Sequence, residues 1–369
     1  MTEPRRVFYI LLPVLSCLFA LVVVELGLAI AYPIPYSLEK NMYFEADPHT
    51  GYRHKADSVG HYPNGIDARA NSLGNRDDEI SISKPADVFR ILMIGDSFTV
   101  GANVEQHEAY PQVLEALLNN AERRVEVVNA GVGGWSPFQY AQFLDNYGAQ
   151  YEADLVLVGL FVGNDIYIDR FSVEQTLTAV LGRRVSRDAA ESWWIKPRVL
   201  AYENSHIARA LMKTSPEKLD FTRRDCGDFG DYYLAVQKNR IHSHLATPTA
   251  ENQSLAEANV AEVLRMQKSA ESMGAEFAVI ILPDENQINP LLQQRVIVEA
   301  EKMNYDFDMP QRLLRERFAQ AGIATLDFMP AVRDDGRCLY MNDTHWIPAG
   351  HKLAAEQIGE FLQEEGLLP

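Results

Sequence analysis

Residues Ile91-Leu92-Met93-Ile94-Gly95-Asp96-Ser97-Phe98-Thr99-Val100-Gly101 set an apolar run of strand type directly against a Gly-Asp-Ser turn, with a second glycine closing it. A strand that is apolar without alternation is buried on both faces, which requires a sheet covered by helices on each side. A hydroxyl at the carboxyl end of such a strand stands where open α/β sheets bind their ligands. Ser97 is therefore a candidate nucleophile, provided that a base reaches it.

The pattern repeats along the chain. Strands are expected at Val88–Ile94, Val125–Val128, Asp154–Phe161, Phe277–Leu282 and Ile323–Leu326. Between them lie helical periodicities at Glu108–Ala121, after Ser136, at Ser254–Met273, at Pro310–Ala321 and at Pro348–Glu364. Ser136-Pro137-Phe138-Gln139 and Ser254-Leu255-Ala256-Glu257 both read as capping boxes that open a helix. Strands alternating with helices give an α/β fold. The connection lengths suit a flavodoxin-like, doubly wound, five-stranded parallel sheet. Residues 88–369 are assigned to this domain, with a mainly helical insertion at 166–253 where the alternation is lost.

The N-terminus is of another material. Arg5 and Arg6 precede an uncharged apolar run, Val7–Val24, that continues past Glu25 to Ala31. That length suffices to cross a bilayer as a helix, and the arginines place the short N-terminus on the cytoplasmic side. Residues 1–36 are thus read as a cytoplasmic stub and single-pass anchor, with the catalytic domain periplasmic or extracellular. A cleaved signal peptide, cut after Ala29-Ile30-Ala31, would release a secreted protein; the long apolar run favours the anchor. Residues 37–87, rich in Gly, Pro, Asn, Asp and Tyr, read as an irregular arm, with room for short strands, between membrane and domain. A net charge of −17 argues against nucleic acid as a partner.

Polar or glycine-rich loops follow four of the five strands, at Ser97, Gly134, Asn164 and His345. In a parallel sheet these loops share one edge, so separate signals converge on one crevice. Their residue types match what ester cleavage needs. Serine requires a base, histidine is the best base near neutrality, and a carboxylate fixes the imidazole tautomer. The oxyanion of the tetrahedral intermediate requires donors, which a glycine N–H, an asparagine amide and the serine's own N–H supply.

Gly95-Asp96-Ser97, the Gly131–Gly134 loop, Gly163-Asn164-Asp165 and Asp343-Thr344-His345-Trp346, in this order, resemble the four conserved blocks of the SGNH (GDSL) hydrolases. The resemblance spans about residues 88–170 and 275–365. It implies ester or acyl-transfer chemistry without metal or cofactor. By matching position, Ser97 is the nucleophile, Gly134 and Asn164 join the Ser97 N–H as oxyanion donors, and His345 is the base. The family's usual aspartate, three residues before the histidine, is here Asn342. Asp343 stands two residues before it and is favoured as the orienting carboxylate, with Asn342 as the alternative. Asp-x-His-Trp resembles the block of SGNH-like proteins that acetylate exported polysaccharides.

The expected activity is hydrolysis of O-acyl esters, O-acetyl first, on envelope or secreted carbohydrate. Lipase or lysophospholipase action, O-acetyl transfer, and a non-catalytic glycan-binding module are the alternatives. Cys226 and Cys338 are a candidate disulfide if the domain lies in an oxidising compartment, with two free buried thiols as the other outcome. Trp346 is expected to pack beneath its loop and His351 to be a surface histidine. In the insertion, Trp193-Trp194 read as a core aromatic pair and Arg183, Arg184 and Arg187 as a solvated face; a wall over the crevice is the sharper reading.

Overall fold

The computed structural model describes residues 3–31, 44–62, 64–119, 123–167, 177–211, 225–297 and 304–369. The first residues of the arm and two stretches of the insertion, 168–176 and 212–224, lie outside the described residues. Strands β1 (Phe44–Asp47), β2 (Gly51–His54), β3 (Val59–His61) and β4 (Asp67–Arg69) precede the main sheet. That sheet comprises β5 (Val88–Gly95), β6 (Arg124–Asn129), β7 (Leu155–Phe161), β10 (Glu276–Leu282) and β11 (Ala324–Asp327); β8 (Leu177–Val180) and β9 (Arg183–Ser186) form a hairpin between β7 and β10. The five strands are parallel and lie in the order β11-β10-β7-β5-β6. This is the flavodoxin-like, doubly wound order, with the switch point between β5 and β7.

Period-2 side-chain alternation divides the apolar strands between two cores. Leu92, Ile94, Val156, Val158, Val279 and Ile281 face helices Pro137–Tyr147, Ala250–Ser272 and Met309–Gln320. Ile91, Met93, Leu155, Leu157, Ala278 and Ile280 face helices Tyr110–Leu118 and Pro348–Glu364. The unbroken apolar runs thus have helices on both sides. Arg90 is fully buried in β5 and is satisfied there by Glu126, 2.6 Å away, and by the carbonyls of Ser81 and Tyr151.

One expectation is corrected. The helix ending at Ser272 begins at Ala250, where the Thr249 hydroxyl caps the Asn252 N–H at 3.1 Å, and not at the Ser254 box. The arm carries short strands and packs against the domain. β1–β2 and β3–β4 are antiparallel hairpins, Tyr52 is fully buried, and the buried Arg76 guanidinium donates to the carbonyls of Val100, Gly101 and Val104. These three carbonyls of the loop after Ser97 would otherwise need another donor.

The insertion is mainly helical among its described residues, with helices Arg187–Glu191, Ile195–Asn204, His206–Leu211 and Asp231–Arg240 beside the β8–β9 hairpin. A disulfide joins Cys226 of the insertion to Cys338, with Cα atoms 5.3 Å apart. The N-terminal helix Glu3–Ala31 includes a stretch, Leu11–Ile30, long and apolar enough to cross a membrane, with a mean hydropathy of 2.5 and no burial within the protein.

Candidate active site

Ser97 is the first residue of a short helix, Ser97–Val100, immediately after β5. The Asp96 carboxylate caps that helix through the Phe98 N–H at 2.8 Å, and Gly101 ends it in the left-handed conformation. Ser97 is half-buried at the sheet's carboxyl edge. Asp96 is fully buried, and burial is the main force raising its pKa; Asn164 donates to its other oxygen at 3.2 Å. Asn164, from the turn after β7, is therefore tied to the residue before the serine.

The Gly131–Gly134 loop follows β6. The Val132 N–H donates to the Gly95 carbonyl at 3.0 Å, which draws the loop against the serine turn. A Cβ built on Gly133 would lie 3.8 Å from Ser97 Cβ. Gly134 has φ 79°, a backbone conformation that favours glycine, and a Cβ there would fall 2.6 Å from an Arg184 guanidinium nitrogen and displace it. The Gly133 carbonyl accepts from Arg184 of β9 at 2.7 Å and from the Tyr52 hydroxyl of β2 at 3.0 Å.

His345 reaches the same edge from the loop before the last helix. Its Nδ1 lies 2.9 Å from Asp343 Oδ2, and its backbone N–H donates to Asp343 Oδ1 at 3.1 Å. Thr344 between them is buried at φ 83°, a conformation that costs a β-branched residue about 1–3 kcal/mol. The Asn103 amide also donates to Asp343 Oδ2. Asn103 sits in the left-handed region at φ 66°, and Asn64 of the arm donates to its carbonyl at 2.7 Å.

The Phe98 ring joins the two halves. It packs on His345 with centroids 5.4 Å apart, on Trp346 at 4.8 Å and on Phe161 at 4.1 Å. Among the described residues no hydrogen bond links Ser97 to His345. In unliganded sites such bonds are commonly long and tighten with substrate. Asn342 is buried beside Asp343, but the imidazole nitrogen faces Asp343.

One side-chain expectation holds in three dimensions and three do not. Trp346 is fully buried under its loop, as expected. His351 is buried and not on the surface: its Nδ1 accepts the Tyr110 N–H at 3.3 Å, and burial depresses its pKa to about 3. Trp193 and Trp194 are no core pair, being 87% and 39% exposed. The arginines are not simply solvated either: Arg183 is buried over the Tyr202 ring and Arg184 lies at the glycine loop.

Sequence reasoning missed Asn103, Tyr52 and Arg240, and it named Arg184 only within the alternative of a wall over the crevice. Arg240 pairs with the buried Asp284 at 3.1 Å and lies over the Phe161 ring at 5.1 Å. Asn103 alone left a trace, as an asparagine just beyond Gly101, a residue type that tolerates left-handed backbone.

Residues 242–368 match the family model described as the SGNH hydrolase-like domain of the acetyltransferase AlgX. Over residues 242–368 the chain carries an SGNH hydrolase-like domain, as that family model describes it. The match to this domain takes in β10, β11, Asp343 and His345 and begins after Ser97. No curated protein matches the chain in sequence. Among solved structures, the acetylxylan esterase Axe2 from Geobacillus stearothermophilus is 12% identical, with a TM-score of 0.38 over 74% of this chain and 94% of its own. The α/β hydrolase LAE5 from the metagenome of Lake Arreo is 15% identical, with a TM-score of 0.38 over 76% of this chain and 96% of its own. The esterase EstA from Pseudoalteromonas sp. is 12% identical, with a TM-score of 0.38 over 74% of this chain and 97% of its own. Likenesses of this size support no inference about activity.

Proposed function

We propose that this SGNH domain is a serine esterase acting on O-acyl groups, acetyl first, of carbohydrate outside the membrane, and that the N-terminal helix anchors it there. One observation carries the reading. Ser97 and an Asp343–His345 pair at 2.9 Å lie at one edge of the sheet, bridged by Phe98. Arg5 and Arg6 favour a cytoplasmic N-terminus and an outward domain.

The mechanism follows from that arrangement. Ser97 Oγ attacks the acyl carbonyl and His345 Nε2 takes its proton. Asp343 holds the imidazole in the tautomer with Nδ1 protonated and stabilises the imidazolium. The Gly134 N–H, the Asn164 amide and the Ser97 N–H receive the oxyanion, each worth about 2.7–4 kcal/mol of barrier. His345 returns the proton to the leaving alcohol, leaving acyl-Ser97. Water, deprotonated by His345, then releases the carboxylic acid.

The test uses the full chain in detergent with p-nitrophenyl esters of increasing acyl length and with an acetylated oligosaccharide. A burst of nitrophenol that disappears in S97A, with preference for acetyl, is expected. Turnover unchanged by S97A would remove the reading.

A second reading is acyl transfer, because the family description names an acetyltransferase. The same residues serve if a sugar hydroxyl replaces water at acyl-Ser97. Acetylated acceptor sugar appearing at the expense of free acetate distinguishes the two.

A further inference from the structure

We propose that helices Ile195–Asn204 and His206–Leu211 of the insertion dock on the lipid surface of the bilayer that the N-terminal helix enters. The inference rests on the membrane reading of that helix and is independent of the esterase reading.

The exposed side chains are of the interfacial kind. Trp193 is 87% exposed, Leu200 54% and Leu211 78%, and Trp194 joins them. Scattered apolar side chains on a soluble surface need no explanation, but four on one short stretch do. Ile195 and Val199 turn inward, so the exposed residues are the outer side of a packed helix and not a frayed core. Lys196 and Arg198 stand exposed among them, and the Arg198 guanidinium lies over the Trp194 ring at 5.4 Å. Residues 183–211 contain six Lys and Arg against three Asp and Glu, a net charge of +3 in a chain of −17. Tryptophan beside leucine, with lysine and arginine around them, is the composition that settles at the headgroup boundary of anionic bilayers.

Contact with the anchor fixes the level. The Glu25 carboxylate accepts the Ser205 hydroxyl at 2.9 Å, the His206 N–H, and the Ile207 N–H at 3.0 Å; the His206 ring nitrogen lies 2.9 Å away. A carboxylate inside an apolar helix is costly unless so paired. Glu25 is five residues from the end of the apolar stretch Leu11–Ile30. At 1.5 Å per residue that is about 7.5 Å below its end, the depth of the headgroup and acyl boundary. Helix His206–Leu211 is thereby held where the bilayer surface lies, with Leu200, Leu211 and both tryptophans uncovered beside it. Arg184, at the glycine loop of the crevice, precedes this face in the same insertion.

Tryptophan fluorescence tests this on the full chain, because the other two of its four tryptophans, Trp135 and Trp346, are fully buried. The protein is reconstituted in phosphatidylcholine–phosphatidylglycerol vesicles with or without bromine near the acyl-chain carbonyls. A bimane label on Cys17, the free cysteine among the described residues, reports the anchor in the same vesicles. Bromolipid is expected to quench the label and to lower tryptophan emission by up to roughly half. The variant Trp193→Phe with Trp194→Phe should lose the tryptophan quenching and keep that of the label. A quenched label with unquenched tryptophans would overturn the docking face, leave the anchor standing, and point to a protein covering those residues. Absence of both would overturn the membrane reading and this inference with it.

Discussion

Asn103 and His345 meet on one oxygen: Asp343 Oδ2 accepts the Asn103 amide and faces His345 Nδ1 at 2.9 Å. The carboxylate is thus held from the serine side of the crevice, because Asn103 lies on the loop that Arg76 and Asn64 of the arm tie down. A carboxylate that orients a catalytic imidazole is worth about 10⁴-fold in turnover. D343A should therefore lose about that much of kcat for p-nitrophenyl acetate. N103A removes one charge-assisted hydrogen bond and should cost about tenfold. N342A should stay within about threefold of wild type if its circular dichroism is unchanged. A folded N342A as inactive as D343A would transfer the orienting role to Asn342.

The Gly133 carbonyl is held twice, by Arg184 and by Tyr52. A trans peptide is planar, so its C=O and the following N–H point in opposite directions. Fixing the Gly133 oxygen fixes the direction of the Gly134 N–H, the proposed oxyanion donor. R184A should therefore lower kcat about 10- to 100-fold with little change in KM, the loss expected for a hydrogen bond from a charged donor. Y52F should act in the same direction but less, because a neutral donor is removed. Free guanidinium should restore part of the R184A rate. A loss of R184A activity confined to KM, with no rescue, would make Arg184 a substrate contact and not a positioning residue.

What the sequence disclosed and what it withheld separate by range. Ser97, Gly134 and Asn164 announce themselves because each follows a strand, and a parallel sheet carries strand ends to one edge; His345 lies beyond β11 and the helix Met329–Asp335, and is legible from the block Asp343–Trp346 instead. The strand order follows from the same alternation, and the apolar runs divide between the two cores by simple period. Asn103, Tyr52 and Arg76 left almost no local signal, and Arg184 only that of a basic cluster. Each acts on a backbone or carboxylate group distant in sequence, and Tyr52 and Arg184 come from hairpins too short to show alternation. His351 misled for a related reason. It lies on the final helix near charged residues, yet its neighbours in space, Tyr110 and Trp346, bury it. Trp193 and Trp194 misled oppositely, since composition favours a core for paired tryptophans unless a second surface exists to receive them.

The Cys226–Cys338 bond closes a loop across 112 residues and ends five residues before Asp343. Cross-links of that span stabilise by about 4–5 kcal/mol in the chain-entropy account. Reductant, or the variant C226S with C338S, should lower the thermal midpoint by several degrees. Because Cys338 precedes the histidine loop directly, activity should fall at temperatures where the far-ultraviolet circular dichroism is still native. An identical midpoint and activity with and without reductant would show that the bond carries no stability.

His351 supplies a pH dependence whose sign is fixed by its environment. Its Nδ1 accepts the Tyr110 N–H, so the native ring is neutral with its proton on Nε2, and burial depresses its pKa to about 3. The unfolded chain has the ordinary value near 6.5. Above pH 6.5 both states are neutral and the full stability is present. Below it the unfolded state binds a proton that the native state refuses, and stability falls by about 1.4 kcal/mol per pH unit until the native pKa is reached. His54 and His244, buried with pKa values likewise depressed to about 3, act in the same direction. Asp77, pushed up to about 7 by burial, opposes them, because its native state holds a proton that the unfolded state has lost. The contribution of His351 is therefore read as a difference. His351→Gln keeps an acceptor for Tyr110 and cannot titrate. Urea unfolding at pH 7.5, 6.5, 5.5 and 5.0 should give a wild-type curve that declines relative to the variant by about 1.4 kcal/mol per unit below pH 6.5. Parallel curves would place a proton on the buried imidazole in the native state.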